Sequence, residues 1–292
     1  MYFFITFLAA LLVFGAVIAI HEFGHFSVAK LCGIQVNEFS IGMGPALWKK
    51  THKGTQYSLR LLPVGGFVAL EGEESPESQQ AEPAPTPTGV PLNEAPVWQR
   101  MLVMAAGAFM NFVLGFVVLV LLIGLRSEPI TSRVIYAVED GALCGQTGLQ
   151  AGDKILAVNG RRCFVANDIL YELMRTEDYT ADFTVLRDGK KVELPGVQFD
   201  TWQDDKGETH MSLGFTVYGI KKTPLNVLKE AGNSVLYYGR IIFASLSDLL
   251  RGRESINDLS GPVGIVTAIG QAASYGWQDL LQLLVLITVN LG

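Results

Sequence analysis

The sequence is poor in charge and in cysteine. Charged side chains make up 17% of the 292 residues and hydrophobic ones 49%, and the mean hydropathy is +0.32. This composition is too apolar for an ordinary soluble enzyme and indicates a membrane protein with a soluble module. The net charge is −6 without a dense basic stripe, so no nucleic-acid partner is expected. The three cysteines lack CxxC spacing and predict no cysteine zinc site; Cys144 and Cys163 could pair only in an oxidising compartment.

Two long segments contain no charged side chain. Residues 2–20 and 101–125 reach or approach the length of about 20 apolar residues that a membrane-spanning helix requires. A third apolar segment runs from Leu280 to Gly292 and predicts the start of another span, shorter than a full one. A cleaved signal peptide is the alternative for the first segment, but no Lys or Arg precedes it and its apolar core is too long.

The basic residues predict an orientation in the membrane. Residues 1–25 contain no Lys or Arg, whereas residues 26–100 contain Lys30, Lys49, Lys50, Lys53, Arg60 and Arg100. The positive-inside rule therefore places the segment after the first span in the cytoplasm. The N-terminus and the region between the second and third apolar segments are then expected outside the cytoplasm.

The polar segments predict a small sheet, a linker and a soluble domain. Residues 36–48 and 54–70 read as strands; in the second, Tyr57, Leu59 and Leu61 alternate with polar residues, which predicts a hairpin with an open edge. Residues 71–96 contain six prolines, six glutamates and no basic residue, which predicts a disordered linker.

From residue 130 to 220 the pattern predicts a mixed domain. Strands are expected at 133–138, 154–158, 182–187 and 212–217, and a helix at 166–175. The segment that follows, 223–250, has apolar positions at helical spacing interrupted by charges, so an amphipathic helix on the membrane surface is expected there.

The motif HEFGH, residues 21–25, follows the first apolar segment directly. On a helix His21 and His25 lie one turn apart on the same face, where two imidazole nitrogens can bind one Zn²⁺. Glu22 beside them is suited to accept a proton from a water and pass it to a leaving amine. The alternative is a pair of interfacial histidines at a helix end, but ionisable groups at membrane depth are costly and usually functional.

HExxH closing the first span resembles the site-2 protease family of intramembrane zinc metalloproteases, of the bacterial regulator of sigma-E protease type. Further stretches are similar to that type in the expected order: GMGP (42–45), GTQYSLRLLPVGGFVAL (54–70), MAAGAFMNFVLGF (104–116) with Gly107 and Asn111, LSGPVGI (259–265) and ITVNLG (287–292). GLQAGDKILAVNGRRC (148–163) resembles a bacterial PDZ domain. The resemblance covers nearly the whole chain.

The resemblance implies a polytopic α-helical membrane protein with a membrane-associated β-hairpin and an inserted PDZ-like α+β domain. Its expected location is the bacterial inner membrane, with the PDZ-like domain extracytoplasmic and the zinc site near the cytoplasmic side. The expected parts are residues 1–70 (first span and β elements), 71–96 (linker), 97–125 (second span), 130–220 (PDZ-like domain), 223–255 (surface helix) and 256–292 (LSGP segment and start of the third span).

The resemblance also implies roles for single residues. His21 and His25 are the expected zinc ligands and Glu22 the catalytic residue. Asn111 is expected either to pack helices or to help hold the substrate backbone or shape the site, and Tyr57, Leu59 and Leu61 are candidate substrate-binding residues. The family's third zinc ligand is an aspartate in a downstream NxxPxPxLDG motif, which residues 1–292 lack, so this chain by itself is expected to be inactive. Replacement of that ligand by Asp279 is the weaker alternative.

The expected function is that of a zinc endopeptidase in regulated intramembrane proteolysis. Its substrates would be transmembrane segments of proteins such as anti-sigma factors or remnant signal peptides, and the PDZ-like domain could bind a peptide ligand. The lipid bilayer is the other expected partner. The alternatives are a membrane-anchored PDZ scaffold without catalysis and a regulator of a longer protease.

Overall fold

The computed structural model describes residues 2–74, 88–176, 178–252 and 261–292. The chain divides into two compact units, Met1–Leu122 with Ile242–Gly292 and Ile123–Ile241. The helices are α1 (Tyr2–Leu31), α2 (Val97–Leu125), α3 (Leu143–Gln146), α4 (Ala166–Leu173), α5 (Pro224–Leu250), α6 (Pro262–Tyr275) and α7 (Trp277–Leu291). The strands are β1 (Val36–His52), β2 (Thr55–Leu70), β3 (Ile130–Val138), β4 (Lys154–Val158), β5 (Arg161–Arg162), β6 (Thr180–Arg187), β7 (Lys190–Gln198), β8 (Asp200–Gln203), β9 (Thr209–Ser212) and β10 (Phe215–Ile220).

Within the described ranges, two helices of the first unit are long and apolar enough to cross a membrane, Phe4–Leu31 and Val97–Leu125. They meet backbone to backbone at Gly24, where an added Cβ would lie 2.4 Å from the carbonyl oxygen of Ala106. Small residues allow such close approach between helices in a membrane. Gly270 of α6 likewise lies against Thr6 of α1, since its Cβ would be 2.5 Å from the Thr6 hydroxyl oxygen.

The third apolar segment begins earlier than the sequence predicts. Helix α7 starts at Trp277 rather than Leu280, and Gly276, with φ of 150°, separates it from α6. These two helices have 14 and 15 residues, so each is shorter than a full span. The LSGP stretch lies partly outside the described residues, and only its last positions belong to α6.

Strands β1 and β2 bend and pair with each other along four segments. Residues 36–41 pair with 66–70 on one side and, from Glu38, with 56–59 on the other; residues 48–52 pair with 55–59. Most of β1 pairs with β2 in antiparallel fashion. The exception is the pairing of residues 38–41 with residues 56–59, where Glu38 pairs with Gln56 and Ile41 with Leu59, so these two segments run parallel. The order across the sheet is therefore 66–70, 36–41, 55–59, 48–52. The expected hairpin is thus a sheet whose outer segments are 66–70 and 48–52.

The linker expected at 71–96 is too long at its C-terminal end. Val90 forms a parallel bridge with Ile34, and Leu92 and Ala95 are buried in the core beneath the sheet. The buried Gln35 side chain accepts hydrogen bonds from the backbone N–H groups of Thr88 (2.8 Å) and Gly89 (3.2 Å). Residues 88–96 are therefore part of the folded unit, and residues 75–87 lie outside the described residues.

The second unit is built on a sheet with the order β10-β3-β4-β6-β7, to which β5 adds at β4, and a separate β8–β9 hairpin. The strand expected at 212–217 is interrupted, because Gly214 has φ of 62° and separates β9 from β10. Asp153 is fully buried and takes a two-pronged ion pair from Arg187, at 2.7 Å for each oxygen. Cys144 and Cys163 are buried and unpaired.

Candidate metal and catalytic site

His21 and His25 face each other across one turn of α1. Their Nε2 atoms are 3.1 Å apart and their ring centroids 4.8 Å apart. Two nitrogens that each lie 2.0–2.1 Å from one tetrahedral zinc ion are separated by about 3.3–3.4 Å. The pair therefore has nearly the spacing of two ligands to a single ion, as the HxxxH spacing predicts.

The Nδ1 atom of His25 has a defined partner. It lies 2.7 Å from the carbonyl oxygen of Val103 on α2. A carbonyl only accepts, so the Nδ1 atom carries the proton and the Nε2 atom keeps the lone pair that a metal ion needs. Partners of this kind fix the tautomer and the ring orientation of metal-binding histidines.

The partner of His21 is Asn111, two turns further along α2. The amide nitrogen of Asn111 is 3.3 Å from His21 Nδ1, and its oxygen is buried without a hydrogen-bond partner among the described residues. A half-turn of the amide places the oxygen against an Nδ1–H donor and satisfies both groups. That arrangement leaves Nε2 of His21 free for a metal ion. Asn111 thus contacts a candidate ligand, a position from which it can shape the site.

Gly107 provides the space around the two Nε2 atoms. A Cβ at this position would lie 2.4 Å from Nε2 of His25 and 2.6 Å from Nε2 of His21. This space and the unpartnered Asn111 oxygen both fit a metal ion held by the two histidines. Sequence reasoning noted Gly107 only as part of a motif. Its position four residues before Asn111, on the same helical face, was the available signal.

Glu22 and His25 line one cavity of about 290 Å³. Its other wall is the segment Gly66–Val68 of β2, and Met104 of α2 also contributes. The outer side of Gly66–Val68 pairs with no other strand within the described residues. A carboxylate, an imidazole and an unpaired strand edge therefore border the same space.

The substrate edge predicted at Tyr57, Leu59 and Leu61 is in the wrong place. Tyr57 and Leu59 lie in the segment 55–59, which pairs with β1 on both sides. The Tyr57 ring also packs against Phe26 at 5.9 Å between centroids. Leu61 follows that segment with its side chain exposed and does not line the cavity of Glu22. Alternation in a sequence identifies the two faces of a strand but not which segment is outermost.

Within the described ranges, no acidic, histidine or cysteine side chain forms a group of three ligand atoms with His21 and His25, all within 4.8 Å of one another. The three described side chains that do form such a group are Asp204, Glu208 and His210. His210 belongs to that partly exposed group in the second unit, and His52 is exposed at the end of β1. Asp279 lies in the first turn of α7.

The model of the Peptidase family M50 matches residues 9–292. The chain belongs to family M50. This is the site-2 protease family, whose members are membrane-embedded metalloproteases.

Named relatives agree with the M50 assignment. A Fusobacterium nucleatum protein named as a candidate zinc metalloprotease is 32% identical over 98% of this chain and 82% of its own length. A Clostridium perfringens protein with the same kind of name is 34% identical over 97% of this chain and 80% of its length. The regulator of sigma-W protease RasP of Bacillus subtilis is 26% identical over 98% of this chain and 85% of its length. The three alignments thus span nearly all of this chain and at least 80% of each relative.

Proposed function

We propose that the protein is an intramembrane zinc endopeptidase in which His21 and His25 bind the metal ion and Glu22 is the catalytic residue. The observation that carries this proposal is the Nε2 pair, 3.1 Å apart, with Gly107 leaving space beside it and Glu22 in the adjoining cavity. The names of the relatives support zinc as the ion.

Different residues of the chain are proposed to orient the zinc ligands and to transfer the proton. Zinc, when bound, supplies a Lewis acid that polarises the scissile carbonyl and lowers the pKa of water. Val103 and Asn111 hold the two imidazoles in the tautomer that ligation requires. Glu22 accepts the proton of the attacking water and passes it to the nitrogen of the leaving amine.

The substrate is proposed to bind as an extended segment along Gly66–Val68. A transmembrane helix hides its carbonyl groups in its own hydrogen bonds, so it must unwind before cleavage. Strand addition to an unpaired edge replaces those bonds with bonds to the sheet. The edge at 66–68 borders the cavity of Glu22, which makes it the better placed of the two outer segments.

The second unit is proposed to be a PDZ-like domain that selects substrates outside the cytoplasm. Its support is the resemblance of residues 148–163 and the turn that Asp153 and Arg187 hold together. β10 is an edge strand of its sheet and could receive a peptide end. The protein is proposed to be multi-pass in the bacterial inner membrane, with the zinc site near the cytoplasmic side.

Substrates are proposed to be single-span proteins such as anti-sigma factors, or remnant signal peptides. The relative named regulator of sigma-W protease supports the first of these classes. The substrate, rather than the metal site, distinguishes this function from that of other zinc peptidases.

Cleavage of a single-span model substrate by a chain extended past Gly292, so that it includes the third ligand that the resemblance implies, tests the proposal when zinc content is measured as well. Glu22→Gln should keep the zinc and lose cleavage by at least about 10²-fold, since general acid–base catalysis contributes that much. His21→Ala and His25→Ala should lose both. The control is His52→Ala, which removes an exposed histidine of the same unit and should change neither.

A non-catalytic PDZ scaffold predicts a different result. The protein would then bind its partner without cleaving it, with or without Glu22. Cleavage by Glu22→Gln at the wild-type rate, with zinc present, would contradict the role of Glu22.

A further inference from the structure

A second cavity, of about 170 Å³, lies in the second unit between β3 and the first turns of α5. Three cationic side chains line it: Arg133 from β3, Lys154 from β4 and Lys229 from α5. Glu230 is the one acidic side chain among the residues of its lining, and Asn226 and Asn233 add amide groups. The cavity thus has an excess of positive charge, although the whole chain carries a net charge of −6.

One polar face of α5 forms the wall of this cavity. Asn226, Lys229, Glu230 and Asn233 are spaced by three and four residues, so they lie on the same side of the helix. Burial raises the pKa of Glu230, and the nearby Arg133 opposes this shift. Arg133 is anchored by a hydrogen bond from its guanidinium to the carbonyl oxygen of Cys163. The polar side chains of α5 and Arg133 of β3 therefore line one cavity, in which the position of Arg133 is fixed.

A short segment of the chain joins the lining of the cavity to the end of α2. β3 begins at Ile130, five residues after Leu125, the last residue of α2, and five residues cover at most about 18 Å. The ammonium group of Lys222 donates to the carbonyl oxygen of Arg126, which holds the end of the domain beside its beginning. Arg126, Lys221 and Lys222 add further positive charge to this region.

We propose that this cavity binds the phosphate group of an anionic phospholipid at the membrane surface. A phosphate is small enough for about 170 Å³, and ammonium, guanidinium and amide donors match its oxygens. A positive site within reach of a span attracts anionic lipid headgroups, by a factor of about five for each Lys or Arg. The proposal concerns a lipid site and does not depend on the proteolytic function.

This proposal is tested by measuring, by isothermal titration calorimetry, the affinity of the detergent-solubilised full chain for short-chain phosphatidylglycerol. Lys154→Gln and Lys229→Gln should each weaken binding about fivefold. Glu230→Gln should tighten binding by a similar factor, because it removes the negative charge of the lining. The control is Lys190→Gln, which removes an exposed lysine at the β6–β7 turn of the same unit and should leave binding unchanged.

The other ligands separate the sources of the phosphate group. Short-chain phosphatidylcholine should bind more weakly than phosphatidylglycerol, and inorganic phosphate should displace the lipid only at large excess. Equal binding of the two lipids, or equal weakening by Lys190→Gln, would overturn the site. Displacement of the lipid by an equal concentration of inorganic phosphate would assign the cavity to a soluble anion instead.

Discussion

Gly107 of α2 lies so close to His25 of α1 that any side chain at this position would overlap the imidazole. The distance from an added Cβ to Nε2 of His25 is 2.4 Å, well below ordinary van der Waals contact. The proposed metal site on α1 thus depends on the absence of a side chain at Gly107 of α2.

In a chain extended past Gly292, Gly107→Ala should abolish zinc binding and cleavage. The methyl group would displace both imidazoles, because it comes within 2.6 Å of Nε2 of His21 as well. Zinc content by elemental analysis is the measurement. Gly124→Ala is the matched control, since a Cβ on Gly124 of the same helix has no neighbour within 4 Å. Normal zinc content in Gly107→Ala would show that the imidazoles bind metal elsewhere.

Asn111→Ala should lower the affinity for zinc about 10- to 100-fold, the usual effect of removing the partner of a metal-binding histidine. Asn111→Asp should restore most of the affinity, because a carboxylate oxygen accepts the Nδ1–H bond of His21. Competition with a zinc chelator measures both. If Asn111 only packed helices, Asn111→Asp would be at least as harmful as Asn111→Ala.

Gln35→Leu should lower the stability of the first unit by about 1–3 kcal/mol. It removes the acceptor of the Thr88 and Gly89 backbone N–H groups and the buried donor to the Gly54 carbonyl oxygen (2.8 Å), and each such hydrogen bond contributes about 0.5–1.5 kcal/mol. The melting temperature in detergent is the measurement, and residues 88–96 should become sensitive to protease. Gln150→Leu, an exposed position, is the control. Unchanged protease resistance would mean that Gln35 does not anchor this segment.

Cys163 should resist alkylation in the folded protein. Burial raises the pKa of its thiol to about 12, with Asp168 adding to the shift. In an unfolded chain the thiol pKa is about 8.5, so at pH 8 the folded protein holds roughly a thousandfold less thiolate. Peptide mass spectrometry after iodoacetamide treatment, with and without denaturant, measures the difference. Because the thiol pKa is higher in the folded protein than in the unfolded chain, the free energy of unfolding should fall as the pH rises from about 9 towards 12, the range in which only the unfolded thiol ionises.

The close approach of His21 and His25 could be predicted from sequence because its geometry is local. His21 and His25 are four residues apart in one helix, so helical spacing alone brings them together. Their partners Val103 and Asn111 come from α2, about eighty to ninety residues away, and no spacing rule identifies a contact of that kind. The role of Asn111 therefore appeared only with the packing of the two helices.

Predictions from sequence patterns were wrong where a property of a whole segment was assigned to each of its residues. The alternation at Tyr57 and Leu59 is genuine, but the bend of β1 places their segment inside the sheet. The prolines and glutamates of residues 71–96 concealed Val90 and Leu92, which pair with or pack against the core. Composition over a window cannot identify single anchoring residues within it.

Both imidazoles lie on α1, whereas both Nδ1 partners lie on α2, which is synthesised later. An inserted α1 alone has the ligands but not the contacts that fix their tautomers and orientation. In the proposed zinc site, metal binding is consequently linked to the docking of α2. A slide of α2 by a single residue, 1.5 Å along its axis, would disturb both contacts at once. If His21 and His25 bind zinc as proposed, zinc affinity should therefore change with the register between the two helices.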